Sequence, residues 1–255
     1  MTVKVIVATH KKYDMPSDEI YLPVHVGAAG KDSIGFQRDD EGDNISALNP
    51  YYCELTGIYW AWKNLKEDYI GLVHYRRIFE IKGHPITKQD IEPYLGNIKV
   101  FIPKKRHYYI ESLKSHYNHT HYPEHLYVLK QTLMEKYPEY EESYDKAIKR
   151  TWGYMFNMMI LERSLLNNYC VWLFDILDDV FKRIDTSEYQ PFAKRYIGRL
   201  SELLFNVWLE QQMKCGVIKK NEIKELKCNV EENWFVKIPA FFKAKFFGEK
   251  YKGSF

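Results

Sequence analysis

Residues 49–77, NPYYCELTGIYWAWKNLKEDYIGLVHYRR, decide the fold of this chain. The first half carries Leu55, Ile58, Tyr59 and Trp62 at helical spacing, so residues 53–65 read as a helix. The second half, residues 69–73, is a short β-branched and aromatic run that stops at His74, Tyr75, Arg76 and Arg77. A helix therefore feeds a buried strand that ends in cations. Ligands of open α/β sheets gather at the carboxyl ends of strands, and cations there are placed to meet an anion such as a sugar-nucleotide diphosphate.

The same logic extends outward. Residues 3–8 form a β-branched run ending in Thr9, His10 and Lys11, the pattern of a central strand in a nucleotide-binding sheet. A second apolar stretch, 22–26, runs into Gly27, Ala28, Ala29 and Gly30, small residues that let backbone approach a ligand closely. Residues 31–44 are polar and glycine-containing and read as an exposed loop. Further strands are expected at 100–103 and 155–161, and helices at 124–137, 140–149, 165–181 and 197–212. The His/Tyr-rich segment 106–125 between them reads as a lid or acceptor-binding loop, and Pro123 breaks the helical spacing of His121 and His125 that a zinc site would need. No repeat or long linker divides the chain, so it reads as one α/β domain, 1–232, with a basic aromatic tail, 233–255.

Composition narrows the function. The 255 residues include 45% hydrophobic and 16% aromatic, with 21 Tyr, enough for a substantial core and for flat faces that stack on sugars or bases. A net charge of +3 is too mild for bulk nucleic-acid binding, so no nucleic-acid partner is expected. Four cysteines without a CxxC spacing argue for buried thiols in a reducing cytoplasm. No segment approaches the roughly 20 apolar residues that cross a bilayer. The tail instead alternates Trp234, Phe235, Phe241, Phe242, Phe246 and Phe247 with lysines, the composition of an anchor at the inner face of a membrane.

Five blocks in order, NISALNPYYCELTGIYWAWKN, DYIGLVHYRR, WGYMFNMMI, YCVWLFDIL and RYIGRLSELLFNVWL, resemble a bacterial family from capsule, O-antigen and exopolysaccharide gene clusters, formerly labelled only as a domain of unknown function. The resemblance implies a GT-A-like glycosyltransferase with a Rossmann-like mixed central sheet flanked by helices. It further implies a UDP-sugar donor, galactofuranose in some members, and a lipid-linked or polysaccharide acceptor. The donor side would comprise Thr9, His10, Lys11, Gly27, Asn44, Glu54, Lys63, His74, Tyr75, Arg76 and Arg77. The acceptor side would comprise Trp152, Gly153 and Asn157.

GT-A enzymes usually end a central strand in an Asp-X-Asp pair that holds a divalent ion. His74, Tyr75 and Arg76 stand there instead, so the diphosphate charge falls to Arg76, Arg77, His10 or Lys11, and no metal or other cofactor is expected. The alternative is a metal held by the acidic loop Asp39, Asp40, Glu41 and Asp43, which reads better as a solvated loop. An inverting transferase needs a carboxylate opposite the leaving group, and two candidates stand out: Glu202 and Asp185. A rival of another class is a non-catalytic glycan- or nucleic-acid-binding module.

Overall fold

A computed structural model describes residues 1–228. The expected anchor at 233–255 lies outside the described residues. The chain opens with β1 (Val3–Thr9), β2 (Tyr21–His25) and β3 (Gln37–Arg38), then α1 (Asn49–Tyr52), α2 (Leu55–Asn64) and β4 (Tyr69–His74). It continues through β5 (Phe79–Ile81), β6 (His84–Pro85), α3 (Lys88–Ile91), β7 (Val100–Pro103), β8 (Arg106–His107), α4 (Leu113–Thr120), α5 (Pro123–Lys136) and α6 (Glu141–Ile148). Last come β9 (Trp152–Gly153), β10 (Met159–Glu162), α7 (Arg163–Arg183), α8 (Pro191–Lys194), α9 (Tyr196–Lys214) and β11 (Ile223–Cys228).

The main sheet runs β3-β2-β1-β4-β10-β7-β11-β5-β6. Its first four strands are parallel, β10 lies antiparallel between β4 and β7, and β11 returns parallel to β7. This is the expected mixed α/β sheet. Alternation along β1 and β4 sends Ile6, Ala8, Ile70 and Leu72 into the larger core under the long helices, and Val5, Val7, Tyr69 and Val73 into a smaller core on the opposite face. At the odd-face position of β4 sits Gly71, where a Cβ would stand 2.6 Å from Ile160 Cγ1 and 2.7 Å from Met159 O. Only glycine lets β10 approach that closely.

Three local expectations are corrected. The strand expected at 155–161 begins only at Met159, because Phe156 (φ 75°) and Asn157 (φ 52°) turn left-handed. The segment 106–125 is not a loop: α4 forms within it, capped by Ser112, whose Oγ accepts from Ser115 N at 3.1 Å. The acidic loop is not wholly solvated. Asp39 is fully buried, and its Oδ2 accepts from Gly27 N (2.8 Å) and Thr56 Oγ1 (2.6 Å), its Oδ1 from Ala28 N (3.0 Å) and Ser46 Oγ. Both oxygens of Asp39 accept from protein donors, so Asp39 ties the turn after β2 onto α2, while Asp40 is paired to Arg38 within the loop. Asp39→Ala strands the buried donors of Gly27, Ala28 and Ser46 and leaves Thr56 Oγ1 only Cys53 O, and chemical denaturation should show a loss of about 3–5 kcal/mol. A loss within about 0.5 kcal/mol would deny Asp39 that role.

Candidate active site

A cleft of about 840 Å³ opens at the carboxyl ends of the parallel strands β1 and β4. Ala8, Thr9 and His10 line it from β1, and His74 to Arg77 from the end of β4. The junction of α1 and α2 adds Asn49, Pro50, Cys53 and Glu54. The facing wall is the segment from Pro191 into α9, with Phe192, Lys194, Arg195, Gly198, Arg199 and Glu202.

The left-handed turn at Phe156 and Asn157 organises the floor. His74 Nε2 donates to Phe156 O at 2.7 Å, which fixes the ring at the end of β4. The Phe156 N–H donates to the Glu202 carboxylate. The Phe156 ring lies 4.5 Å from the Arg77 guanidinium carbon. Asn157 Nδ2 donates to Glu54 Oε1 at 2.7 Å and to Gly198 O at 2.9 Å. Asparagine tolerates the left-handed backbone that this arrangement requires, whereas Phe156 holds it at a cost of roughly 1–3 kcal/mol. Across the cleft Cys53 has φ 54° and ψ −132°, a conformation L residues rarely adopt, and its Sγ accepts from Arg195 Nε at 3.2 Å. A Cβ on Gly198 would come within 3.1 Å of Cys53 Cβ and Sγ, so the helix needs glycine to meet this junction.

The electrostatics favour an anion. Lys31, Arg76, Arg77, Lys194, Arg195 and Arg199 line the cleft against two carboxylates, Glu54 and Glu202. Among the described residues no carboxylate lies in ion-pair distance of Lys31, Arg76, Arg77 or Lys194, and the buried Arg77 Nε has no hydrogen-bond acceptor. Burial, with Lys11, Arg76, Lys31 and Arg195 nearby, holds His10 below its ordinary value, so it is neutral at pH 7. Burial and the neighbouring Glu54 push the Glu202 carboxyl up to about 7, against the Phe156 N–H, Arg106 and Arg77. A carboxyl that titrates near neutrality inside a cationic cleft is suited to giving or taking one proton.

Of the expected site residues, Thr9, His10, Glu54, His74, Tyr75, Arg76, Arg77 and Glu202 come together around this cleft. Lys11 stands at its edge, with Nζ 5.5 Å from the Tyr75 ring centre, and its carbonyl accepts from Thr9 Oγ1. Asn157 is buried, with its amide on Glu54 Oε1 and Gly198 O. The others sit elsewhere. Gly27 gives its N–H to Asp39 and packs on Asn49. Asn44 spends its amide on Asp40 O and Gly42 O within its own loop, and Lys63 rests 3.8 Å from the Trp62 ring on the outer face of α2. Trp152 lines a separate cavity of about 300 Å³ with Tyr154 and Asn206, while Gly153 packs under Met155 and Leu113. Asp185 is exposed and accepts from Ser187 N at 2.9 Å, closing a turn after α7 outside the cleft. Of the histidines in 106–125, His125 is fully buried between the hydroxyls of Tyr117 (2.9 Å) and Tyr189 (3.1 Å), where burial drives it down to about 3.

Sequence reasoning missed Cys53, Lys194, Arg195, Arg199 and Phe156. A signal for the arginines was present: Arg195, Gly198, Arg199 and Glu202 recur at i, i+3, i+4 and i+7, a polar stripe on a helix otherwise rich in Leu, Ile and Phe. Nothing in the sequence announces the turn that carries Phe156.

A family model described as Domain of unknown function (DUF4422) matches residues 4–213. The chain is similar to a solved structure, the apo form of the bifunctional glycosyltransferase WbbM, at 30% identity and a TM-score of 0.83, over 91% of this chain and 46% of that one. It thus spans about half the length of the protein it matches. No curated protein matches it.

Proposed function

The chain belongs to the family described as Domain of unknown function (DUF4422), and from that premise we propose that its cleft transfers a glycosyl group from a nucleotide-diphosphate sugar to a hydroxyl acceptor. The observation that carries this reading is the pairing of an anion-attracting strand end, Arg76 and Arg77, with a single near-neutral carboxyl, Glu202, on the opposite wall. The likeness to a bifunctional glycosyltransferase supports it.

The chemistry follows from the groups present. The acceptor oxygen attacks the anomeric carbon while the bond from that carbon to the diphosphate oxygen breaks. The acceptor proton passes to the Glu202 carboxylate, and the nucleoside diphosphate departs with its charge met by the arginines of the β4 end and the α9 start. Because the base must be ionised, kcat/KM should rise as pH increases through about 7. UDP is the expected nucleotide and galactofuranose the first sugar to test. The acceptor is a lipid-linked or polysaccharide chain in capsule, O-antigen or exopolysaccharide synthesis, with the tail at 233–255 holding the enzyme to the inner face of the membrane. No helix among the described residues is long and apolar enough to cross a membrane.

Cations occupy the strand end where a metal-binding carboxylate pair would stand, so the reaction proceeds without a divalent ion. Initial rates with a UDP-sugar should be unchanged in excess EDTA. Loss of activity on chelation, restored by manganese or magnesium, would overturn the metal-independent route.

A further inference from the structure

The separate cavity of about 300 Å³ differs in character from the cleft. Its apolar wall is Trp152 and Tyr154, whose rings meet edge to face with centres 5.8 Å apart. Around them stand Lys105, Arg150, Glu210 and Glu225. Arg150 is ion-paired to Glu210, and Lys105 Nζ lies 3.5 Å from Glu225 Oε1, which also accepts from the Tyr154 hydroxyl at 2.8 Å. Lys105 Nζ and the Arg150 guanidinium carbon are each 4.6 Å from the Trp152 ring centre. Carboxylate is thus matched to cation, with Lys220 the remaining charged group of the described wall, whereas the cleft sets six cations against two carboxylates. Matched charges give no strong pull on an anion or a cation. Flat apolar faces ringed by fixed donors and acceptors fit a ligand that is uncharged, rich in hydroxyls and apolar on its ring faces, which is the chemistry of a sugar.

One helix face joins this cavity to the cleft. Gly198, Arg199 and Glu202 of α9 line the cleft, and Asn206, Leu209, Glu210 and Met213 line the cavity. Counted from Glu202, the second set falls at i+4, i+7, i+8 and i+11, so it continues the same face of α9. The buried Asn206 fastens the aromatic wall to that face: its Oδ1 accepts from Tyr154 N, and its Nδ2 donates to Tyr154 O and to Glu202 O, each at 2.8 Å. At a helical rise of about 1.5 Å per residue, Glu210 stands roughly 12 Å along the axis from Glu202, the reach of a short oligosaccharide rather than of one sugar.

We propose that this cavity binds an uncharged sugar unit of the acceptor glycan, set back from the end that is extended, so that the acceptor is an oligosaccharide or polysaccharide chain lying along α9. This rests on the transfer reading: the terminal hydroxyl is at Glu202 while the unit in the cavity holds the chain in register. Trp152 and Tyr154 pack on the ring of that unit, and Arg150, Glu210 and Glu225 take its hydroxyls. Contact behind the reacting end selects a growing glycan over a free monosaccharide.

The test is an array of neutral bacterial oligosaccharides probed with the intact chain in the absence of sugar nucleotide. The parent protein should bind at least one oligosaccharide, and inorganic diphosphate, which is drawn to the cationic cleft, should not displace it. Trp152→Ala should weaken that binding by about tenfold or more. Glu225→Ala, at a more exposed position on β11, should act in the same direction with less risk to folding, which thermal melts of both variants check. Where a UDP-sugar turns over, the same variants should raise KM for the oligosaccharide and leave kcat nearly unchanged. No binding by the parent protein, binding that both variants keep, or displacement by inorganic diphosphate would overturn the proposal. Because the array contains no donor, a failure of turnover counts against the transfer reading and leaves the glycan-binding result to be judged by itself.

Discussion

Glu202→Gln is expected to lower turnover of the sugar-nucleotide substrate by roughly 100-fold or more while leaving nucleotide affinity nearly unchanged, because the amide keeps the shape of the carboxyl but cannot accept the acceptor's proton. The same variant should be more stable than its parent at alkaline pH. Folded Glu202 holds its proton to about 7, whereas the unfolded chain releases it near the ordinary carboxylate value of 4.5. Its contribution is therefore fully present below pH 4.5 and lost as pH rises through about 7, a difference on the order of 3 kcal/mol. Thermal melts at pH 5 and pH 8 should show the parent losing stability between them relative to Glu202→Gln, by roughly 2–4 °C per kcal/mol. A Glu202→Gln protein that turns over at the parent rate would remove the base from the mechanism. One that gains nothing at pH 8 would contradict the burial of the carboxyl.

The second large effect concerns the strand end. Arg77→Ala should weaken binding of a nucleoside diphosphate by about 10- to 150-fold, the equivalent of the 1.5–3 kcal/mol typical of a charge-assisted hydrogen bond. Arg77 is the sharper choice of the pair, since its buried Nε has no acceptor among the described residues and its guanidinium is placed over Phe156. Arg76→Ala should act in the same direction. Neither change should reduce the affinity of the uncharged nucleoside, which lacks the diphosphate. Calorimetric titration of the two ligands reads both expectations, and equal losses for nucleoside and nucleoside diphosphate would mean that the cations hold up the cleft rather than bind the phosphates.

Much of this architecture was legible in residues 49–77 because two periodicities meet there. The helical spacing of Leu55, Ile58 and Trp62 and the continuous apolar run of β4 are local signals, and packing of the helix in the larger core and of β4 between both cores agrees with them. The cation cluster was legible for the same reason: a strand that stops at His74 to Arg77 must deliver them to its carboxyl end. What stayed hidden depends on distant partners. The strand β11, IKELKC, buries only Leu226 and Cys228 is half-buried, so its alternation gives little hint that it inserts between β7 and β5. Asp39 looked like part of a solvated acidic loop because its four donors come from three separate segments. Sequence placed Glu202 only slightly ahead of Asp185 as the carboxylate base, and the direction of α9 separates them, turning Glu202 to the cleft and leaving Asp185 in a surface turn. Asn157 was expected on the acceptor side, and a linear reading cannot see that its amide bonds Glu54 and Gly198 O.

The central claim is that this cleft binds the diphosphate of a nucleotide sugar, and it is tested most directly by the thermal stability of the unmodified protein in the presence of uridine, UDP and a panel of UDP-sugars. A ligand that binds only the folded state raises its melting temperature with concentration, by about 2.7 kcal/mol of added stability at 100 times the dissociation constant. The account predicts a saturable rise with UDP and with at least one UDP-sugar, no comparable rise with uridine, and loss of the UDP effect in Arg77→Ala. No rise with UDP or any UDP-sugar at millimolar concentration, or an equal rise with uridine, would contradict it.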